Sequence, residues 1–150
     1  MRFVLITSNY QPAAVACGVG DYTRCLRHAL ESLGHQCAVI TSARTRTTET
    51  DVYRLTGTWG LLDTLKTCQI LHALKSDAVF LQYTPEHYGF GVTFKLWPLL
   101  LRVLRQPPRI VTTFHTLVGG RWISRPYAAL LAAASHGVIS TNAELTELFH

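Results

Sequence analysis

Apolar residues in this chain fall into short unbroken runs separated by longer stretches with helical spacing. Phe3-Val4-Leu5-Ile6 and Cys37-Ala38-Val39-Ile40 are the clearest runs. Such runs mark strands buried on both faces, as in the middle of a parallel sheet. The pattern predicts strands over residues 2–7, 35–41, 52–55, 78–83, 109–114 and 137–141. Between them lie helical repeats. Residues 21–33 place Tyr22, Leu26, Ala29, Leu30 and Leu33 at helical spacing, and Gly34 stands where a left-handed residue ends a helix. Residues 61–75 place Leu62, Leu65, Ile70, Leu71 and Leu74 on one predicted buried side. A third helix is predicted over 92–105, with Pro98 marking its start or a kink. A fourth covers 124–134, and a terminal helix over 143–149 is capped by Asn142. Ser42–Thr50, polar and rich in Thr and Arg, reads as an exposed loop, and Gly57–Gly60 as a turn.

Alternating strands and helices argue for an α/β fold, a Rossmann-like parallel sheet with helices on both faces. In such sheets ligands lie at the carboxyl ends of the strands. The loops that fall there are 9–21, 84–91 and 115–120. The first is the most suggestive. A strand, a loop carrying Pro12, Gly18 and Gly20, and then a helix is a common way to build an anion site. The first amides of a helix have no partner inside it, and the dipole favours negative charge there. Gly18–Asp21 is therefore a candidate phosphate or sugar contact; a plain chain-reversing turn is the alternative.

Composition narrows the class. A chain of 150 residues supports one domain, and 48% hydrophobic with 15% charged residues is not a disordered composition. The net charge of +5 comes from scattered residues such as Arg44, Arg46, Arg102, Arg105, Arg121 and Arg125. No Lys/Arg block or aromatic ladder argues for nucleic acid, while an anionic ligand or membrane surface suits the excess. Cys17, Cys25, Cys37 and Cys68 share no CxxC spacing. They read as reduced thiols of a cytosolic protein, with Cys25, Cys37 and Cys68 in core elements and no metal site. Phe3–Ile6 is too short for a signal peptide, and Lys95 and Arg102 interrupt the best candidate for a membrane span.

A dinucleotide fold fits poorly. Its glycine fingerprint needs a third glycine where Thr23 stands, and strand 2 ends in Thr41 and Ser42 instead of an acidic residue. Arg44 near a 2′-phosphate keeps an NADP reading open but weaker.

Tyr10-Gln11-Pro12, then Cys17-Gly18-Val19-Gly20-Asp21-Tyr22-Thr23, then Leu33-Gly34-His35 resembles the start of family 4 glycosyltransferases. Asp77–Tyr83 with Tyr88-Gly89, Val111-Thr112-Thr113-Phe114-His115, and Val138–Thr141 followed by Ala143-Glu144-Leu145 agree in order and spacing. The resemblance spans nearly the whole chain. It implies the N-terminal, acceptor-side half of a GT-B fold, with a C-terminal nucleotide-sugar domain absent from this chain. It implies a retaining, metal-independent hexosyl transfer from a nucleotide-sugar to a glycan or lipid-linked acceptor, with no cofactor and no turnover by this half alone. By resemblance, His115 is the active-site histidine, Gly18, Val19 and Gly20 face the donor's distal phosphate, and Asp21, Glu86, His87 and Tyr88 face the acceptor. Asp21 reads equally as a helix cap, His115 as a buried structural histidine, and the loop residues as ordinary surface. Tyr83 reads as packing beneath the sheet end. The helix bearing Lys95, Trp97, Arg102 and Arg105 reads as a solvated basic face, or as a contact with the inner face of a membrane. A non-catalytic sugar- or nucleotide-binding module of the same fold is the second reading.

Overall fold

The computed structural model describes residues 1–10, 17–85, 88, 97–101, 107–115 and 124–141. Its elements are β1 (Arg2–Ile6), α1 (Gly18–Ser32), β2 (Gln36–Ser42), β3 (Val52–Leu55), α2 (Leu61–Leu74), β4 (Ala78–Tyr83), α3 (Trp97–Leu101), β5 (Arg109–Phe114), α4 (Ser124–Ala134) and β6 (Gly137–Ser140). The strands form one parallel sheet in the order β3-β2-β1-β4-β5-β6. This doubly wound order has its switch point between β1 and β4, where the direction of winding reverses.

Strand alternation sorts the core into two layers. Val4, Ile6, Ala38, Ile40, Val79 and Leu81 pack on one face with Leu71, Trp97, Leu101 and Leu131. Phe3, Leu5, Cys37 and Ala78 pack on the other, under Leu26 and Leu30 of α1. On this α1 face the apolar layer stops half-way. Following each strand toward its carboxyl end at the same parity brings Thr7, Thr41, Gln82, Thr84 and Thr113, all buried. The amino half of the sheet under α1 is hydrocarbon and the carboxyl half is polar.

Helix α1 begins three residues before the expected start. Its C-terminus follows expectation: Gly34 sits at φ +81°, Gly34 N–H donates to Glu31 O at 2.9 Å and His35 N–H to Leu30 O at 3.2 Å. The predicted face is rotated, however. Leu33 is 72% exposed, and the buried residues are Gly20, Thr23 and Arg27. Arg27 explains the rotation. Its guanidinium donates to Glu31 at 2.7 Å, Glu49 at 3.1 Å and Thr50 O at 3.2 Å. Tyr10 Oη donates to the same Glu49 oxygen at 2.7 Å, and burial with this bond pushes the Tyr10 phenol up to about 12. Residues 42–50 are thus tied down, with Thr45 buried, and are not the free loop their polarity suggests.

Helix α2 packs Ile70, Leu71 and Leu74 on the core as expected but corrects Leu62 and Leu65. Leu61, Leu62 and Leu65 are exposed, and the buried side is Asp63, Thr64, Thr67 and Leu71. Thr64 and Thr67 hydroxyls donate to the carbonyls of Gly60 and Asp63, four residues back, so they bury no unmade bond. Among the cysteines Cys25 is exposed, Cys37 buried, and Cys17 and Cys68 half-buried. Trp97 is wholly buried, which removes it from any membrane-facing surface. Residues 92–96, 102–106 and 142–150, and with them the predicted terminal helix, lie outside the described residues. No helix among the described residues is long and apolar enough to cross a membrane.

Candidate functional site

The carboxyl ends of β1, β4, β5 and β6 carry the chemistry. β1 delivers Thr7 and Ser8, β4 delivers Gln82 and Thr84, β5 leads into His115, and Thr141 follows β6. His115 is held on every side the structure describes. Its N–H donates to Tyr83 O at 3.2 Å, extending the β4–β5 ladder by one residue. Thr141 Oγ1 donates to its carbonyl at 3.1 Å. Its Nε2 lies 2.8 Å from Gln82 Oε1. Its ring meets Tyr22 edge to face, with centroids 5.0 Å apart and planes at 76°.

Tyr22 stands on α1 one turn beyond Gly18, so this contact brings His115 beside the helix start. The expected phosphate residues are not in a loop before the helix. Gly18, Val19 and Gly20 form its first turn, and Cys17 is the N-cap residue with no side-chain cap. Their amides have no carbonyl four residues back to bond. The Asp21 N–H, one residue on, already donates to Cys17 O at 3.0 Å. Gly18 is exposed and its missing Cβ would face open space, whereas Gly20 is buried. Asp21 is exposed in the first turn and caps nothing. Its charge favours the helix dipole but opposes an anion at the same amides.

The remaining expected residues divide. Glu86 and His87 lie outside the described residues. Tyr88 is not on an acceptor surface: it is wholly buried. Its hydroxyl donates to Gln82 O at 2.9 Å and reaches Ile6 O at 3.3 Å, so it bridges the ends of β1 and β4. The ring stacks on Tyr83 at 6.0 Å and meets Trp59 at 4.8 Å. Burial holds its phenol well above the ordinary range. Tyr83 packs as expected, buried against Phe114, and burial, with the nearby Tyr127, pushes its phenol up to about 12. At the switch point between β1 and β4, where this fold places a dinucleotide, the Tyr88 hydroxyl ties the two strand ends together. Sequence reasoning missed Gln82, Tyr22 and Trp59. Parity along β4 marks Gln82 as buried, and a buried amide beside a strand-end histidine was the available signal. No group of three potential metal ligands occurs among the described residues.

By sequence the chain matches neither a described protein family nor a curated relative. Solved structures share its architecture. An alpha-glucosyltransferase in complex with UDP and a 13-mer DNA containing an HMU base superposes with a TM-score of 0.62 at 13% identity, over 93% of this chain and 37% of its own. The same kind of enzyme with UDP-glucose and DNA containing an abasic site gives 0.61 at 12% identity, over 99% and 39%. The chain has the fold of a GT-B half. The UDP-GlcNAc 2-epimerase from Methanocaldococcus jannaschii agrees, at TM-score 0.59 and 12% identity over 99% of this chain and 42% of its own. At these identities the likeness is one of fold. This GT-B half spans about two fifths of the length of its neighbours.

Proposed function

We propose that this GT-B half is the N-terminal, acceptor-side domain of a retaining, family 4-like glycosyltransferase. It would act with a second Rossmann-like domain that holds the nucleotide, and would not turn over alone. The observation that carries the reading is the contact of His115 with Tyr22, one turn into α1, at the carboxyl end of the sheet. Nucleotide-sugar neighbours of the same fold support it.

Sugar transfer needs charge on the departing diphosphate stabilised by fixed donors. The amides of Gly18, Val19 and Gly20 are such donors, and they are fixed because α1 is anchored through Arg27 and Leu30. His115 stands at the end of β5 against Tyr22 of the same helix and would contact the donor sugar. Thr23 in place of a third glycine, and Thr41 and Ser42 at the end of β2, disfavour an NADP site here. The acceptor is a glycan or lipid-linked sugar, with Asp21, Glu86 and His87 as the residues for it. The DNA of the neighbours belongs to those proteins. Contact with an anionic membrane would follow from a lipid-linked acceptor and the net positive charge.

Reading the coding sequence past His150 tests the partnership: a second Rossmann-like domain with a Glu-x7-Glu element is expected, and an in-frame stop refutes it. In that longer protein His115→Ala should cut transfer from a UDP-sugar well over tenfold with the fold intact. Unchanged turnover would remove His115 from the site. The epimerase likeness favours one further reading, a nucleotide-sugar epimerase half, which product analysis without an acceptor would reveal.

A further inference from the structure

Gln82 is an unexpected residue for its position. It is 1% exposed, and its Nε2 is buried with no hydrogen-bond partner. Thr113, its register partner on β5, and Thr84, one residue past the end of β4, are also buried hydroxyls without partners. Leaving a buried amide N–H unmade costs stability, and an apolar side chain of similar volume carries no such cost. Packing therefore does not favour glutamine here. The bond it makes is to His115 Nε2, at 2.8 Å.

The rest of His115 is already constrained. The β5 ladder and Thr141 fix its backbone, and Tyr22 bounds one side of its ring. The contact with Gln82 acts on what the backbone ladder does not govern, the rotation of the imidazole and the location of its proton. We propose that Gln82 is the positioning residue of His115. Its carbonyl oxygen accepts from Nε2–H, holding the ring in one tautomer and one orientation against Tyr22, at the expense of its own unpaired NH2. The use of this arrangement in sugar transfer rests on the function proposed above; the geometry does not.

The test uses the 15N-labelled chain, with the His115 ring nitrogens assigned against His115→Ala. A single Nε2–H tautomer and a cross-peak from His115 to the Tyr22 ring are expected. In Gln82→Leu, the urea midpoint should be kept or raised, while the tautomer becomes mixed and the Tyr22 cross-peak is lost. Gln82→Glu, which retains an acceptor oxygen, should restore the Nε2–H signature. An Nδ1–H tautomer in the parent chain overturns the proposal, as do unchanged ring signals in Gln82→Leu. A lowered midpoint with those signals unchanged makes Gln82 a structural residue and overturns it too. Should Gln82→Leu fail to fold, Gln82→Met is read in the same way. In the longer transferase, Gln82→Leu should lower kcat at least tenfold with little change in KM. If the tautomer is lost and kcat is unchanged, the positioning stands and the role of His115 in transfer falls.

Discussion

Replacing Asp63 should cost this small domain a large part of its stability. The carboxylate is wholly buried in the first turn of α2. It accepts from Trp59 N–H at 2.8 Å, Thr56 N–H at 3.0 Å, Thr56 Oγ1 at 2.8 and 2.9 Å, and Thr58 Oγ1 at 3.3 Å. It thereby fixes the whole β3–α2 connection. Trp59 is held in the left-handed region at φ +52°, a conformation costing roughly 1–2 kcal/mol for a residue with a Cβ. Hydrogen bonds to a charged group contribute about 1.5–3 kcal/mol each and do not add in full. Asp63→Ala strands the Trp59 amide in the core and removes the charge, so a loss of about 3–4 kcal/mol is expected, against a total of roughly 5–15 kcal/mol for a typical domain. With a slope near 2 kcal/mol per molar, the urea midpoint should drop by about 1.5–2 M with the slope unchanged. Burial alone raises this carboxyl, but the bonds from Thr56, Trp59 and Thr58 outweigh it and hold it below the ordinary aspartate range. A depressed folded pKa means that the unfolded chain takes up its proton first as pH falls. The contribution is therefore complete above the unfolded carboxylate range and disappears as pH drops through the folded value. The gap between the parent chain and Asp63→Asn should be constant near neutrality and narrow below pH 3.8. A loss under 1 kcal/mol, or a gap independent of pH down to 2, would refute this account of the turn.

Two other substitutions probe features the sequence misrepresents. Arg27→Met removes the bonds to Glu31, Glu49 and Thr50 and should cost about 2–3 kcal/mol by urea denaturation, because the half-buried Glu49 keeps only Tyr10 and a longer contact with the exposed Arg24; a neutral result would mean that residues 42–50 are not held by α1. Leu62→Lys with Leu65→Lys should change stability by no more than about 0.5 kcal/mol, since both side chains are exposed on α2, and a loss above 1 kcal/mol would place them in the core after all.

Strand positions were largely legible in the sequence. β3, β4, β5 and α4 fall at their expected limits, because Pro107-Pro108, Asp77 and Gly137 punctuate runs that parallel pairing buries on both faces. Helix faces were legible in part: Leu26 and Leu30 of α1 and Ile70, Leu71 and Leu74 of α2 pack on the core as expected, but the polar residues buried beside them were not foreseen, for a reason common to both helices. Periodicity counts apolar side chains, whereas these helices bury polar ones whose partners come from elsewhere in the chain. Thr64 and Thr67 satisfy themselves on the preceding turn, Asp63 gathers residues 56–59, and Arg27 gathers residues 49 and 50. The start of α1 was misplaced for another reason. Glycine is a poor helix former, yet Gly20 is buried within α1, so tertiary packing overrode local preference. At the site, the histidine at the end of β5 and the glycines before Asp21 were visible as a pattern. Their contact through Tyr22 was not, since nothing in the order of residues states which helix crosses which strand end. Tyr88 was misjudged because a tyrosine in a Pro- and Gly-containing loop resembles a surface residue until its hydroxyl is seen closing the gap between Ile6 and Gln82.

That closure bears on modularity. A sheet whose two central strand ends are tied together by its own tyrosine offers a ligand a fixed floor. On the proposed function, the identity of the base would be read by the surface lying opposite, and this half would supply a generic platform for phosphate and sugar. Exchanging the opposing domain for one that prefers another nucleotide would then redirect donor choice without altering a residue of the six strands described here.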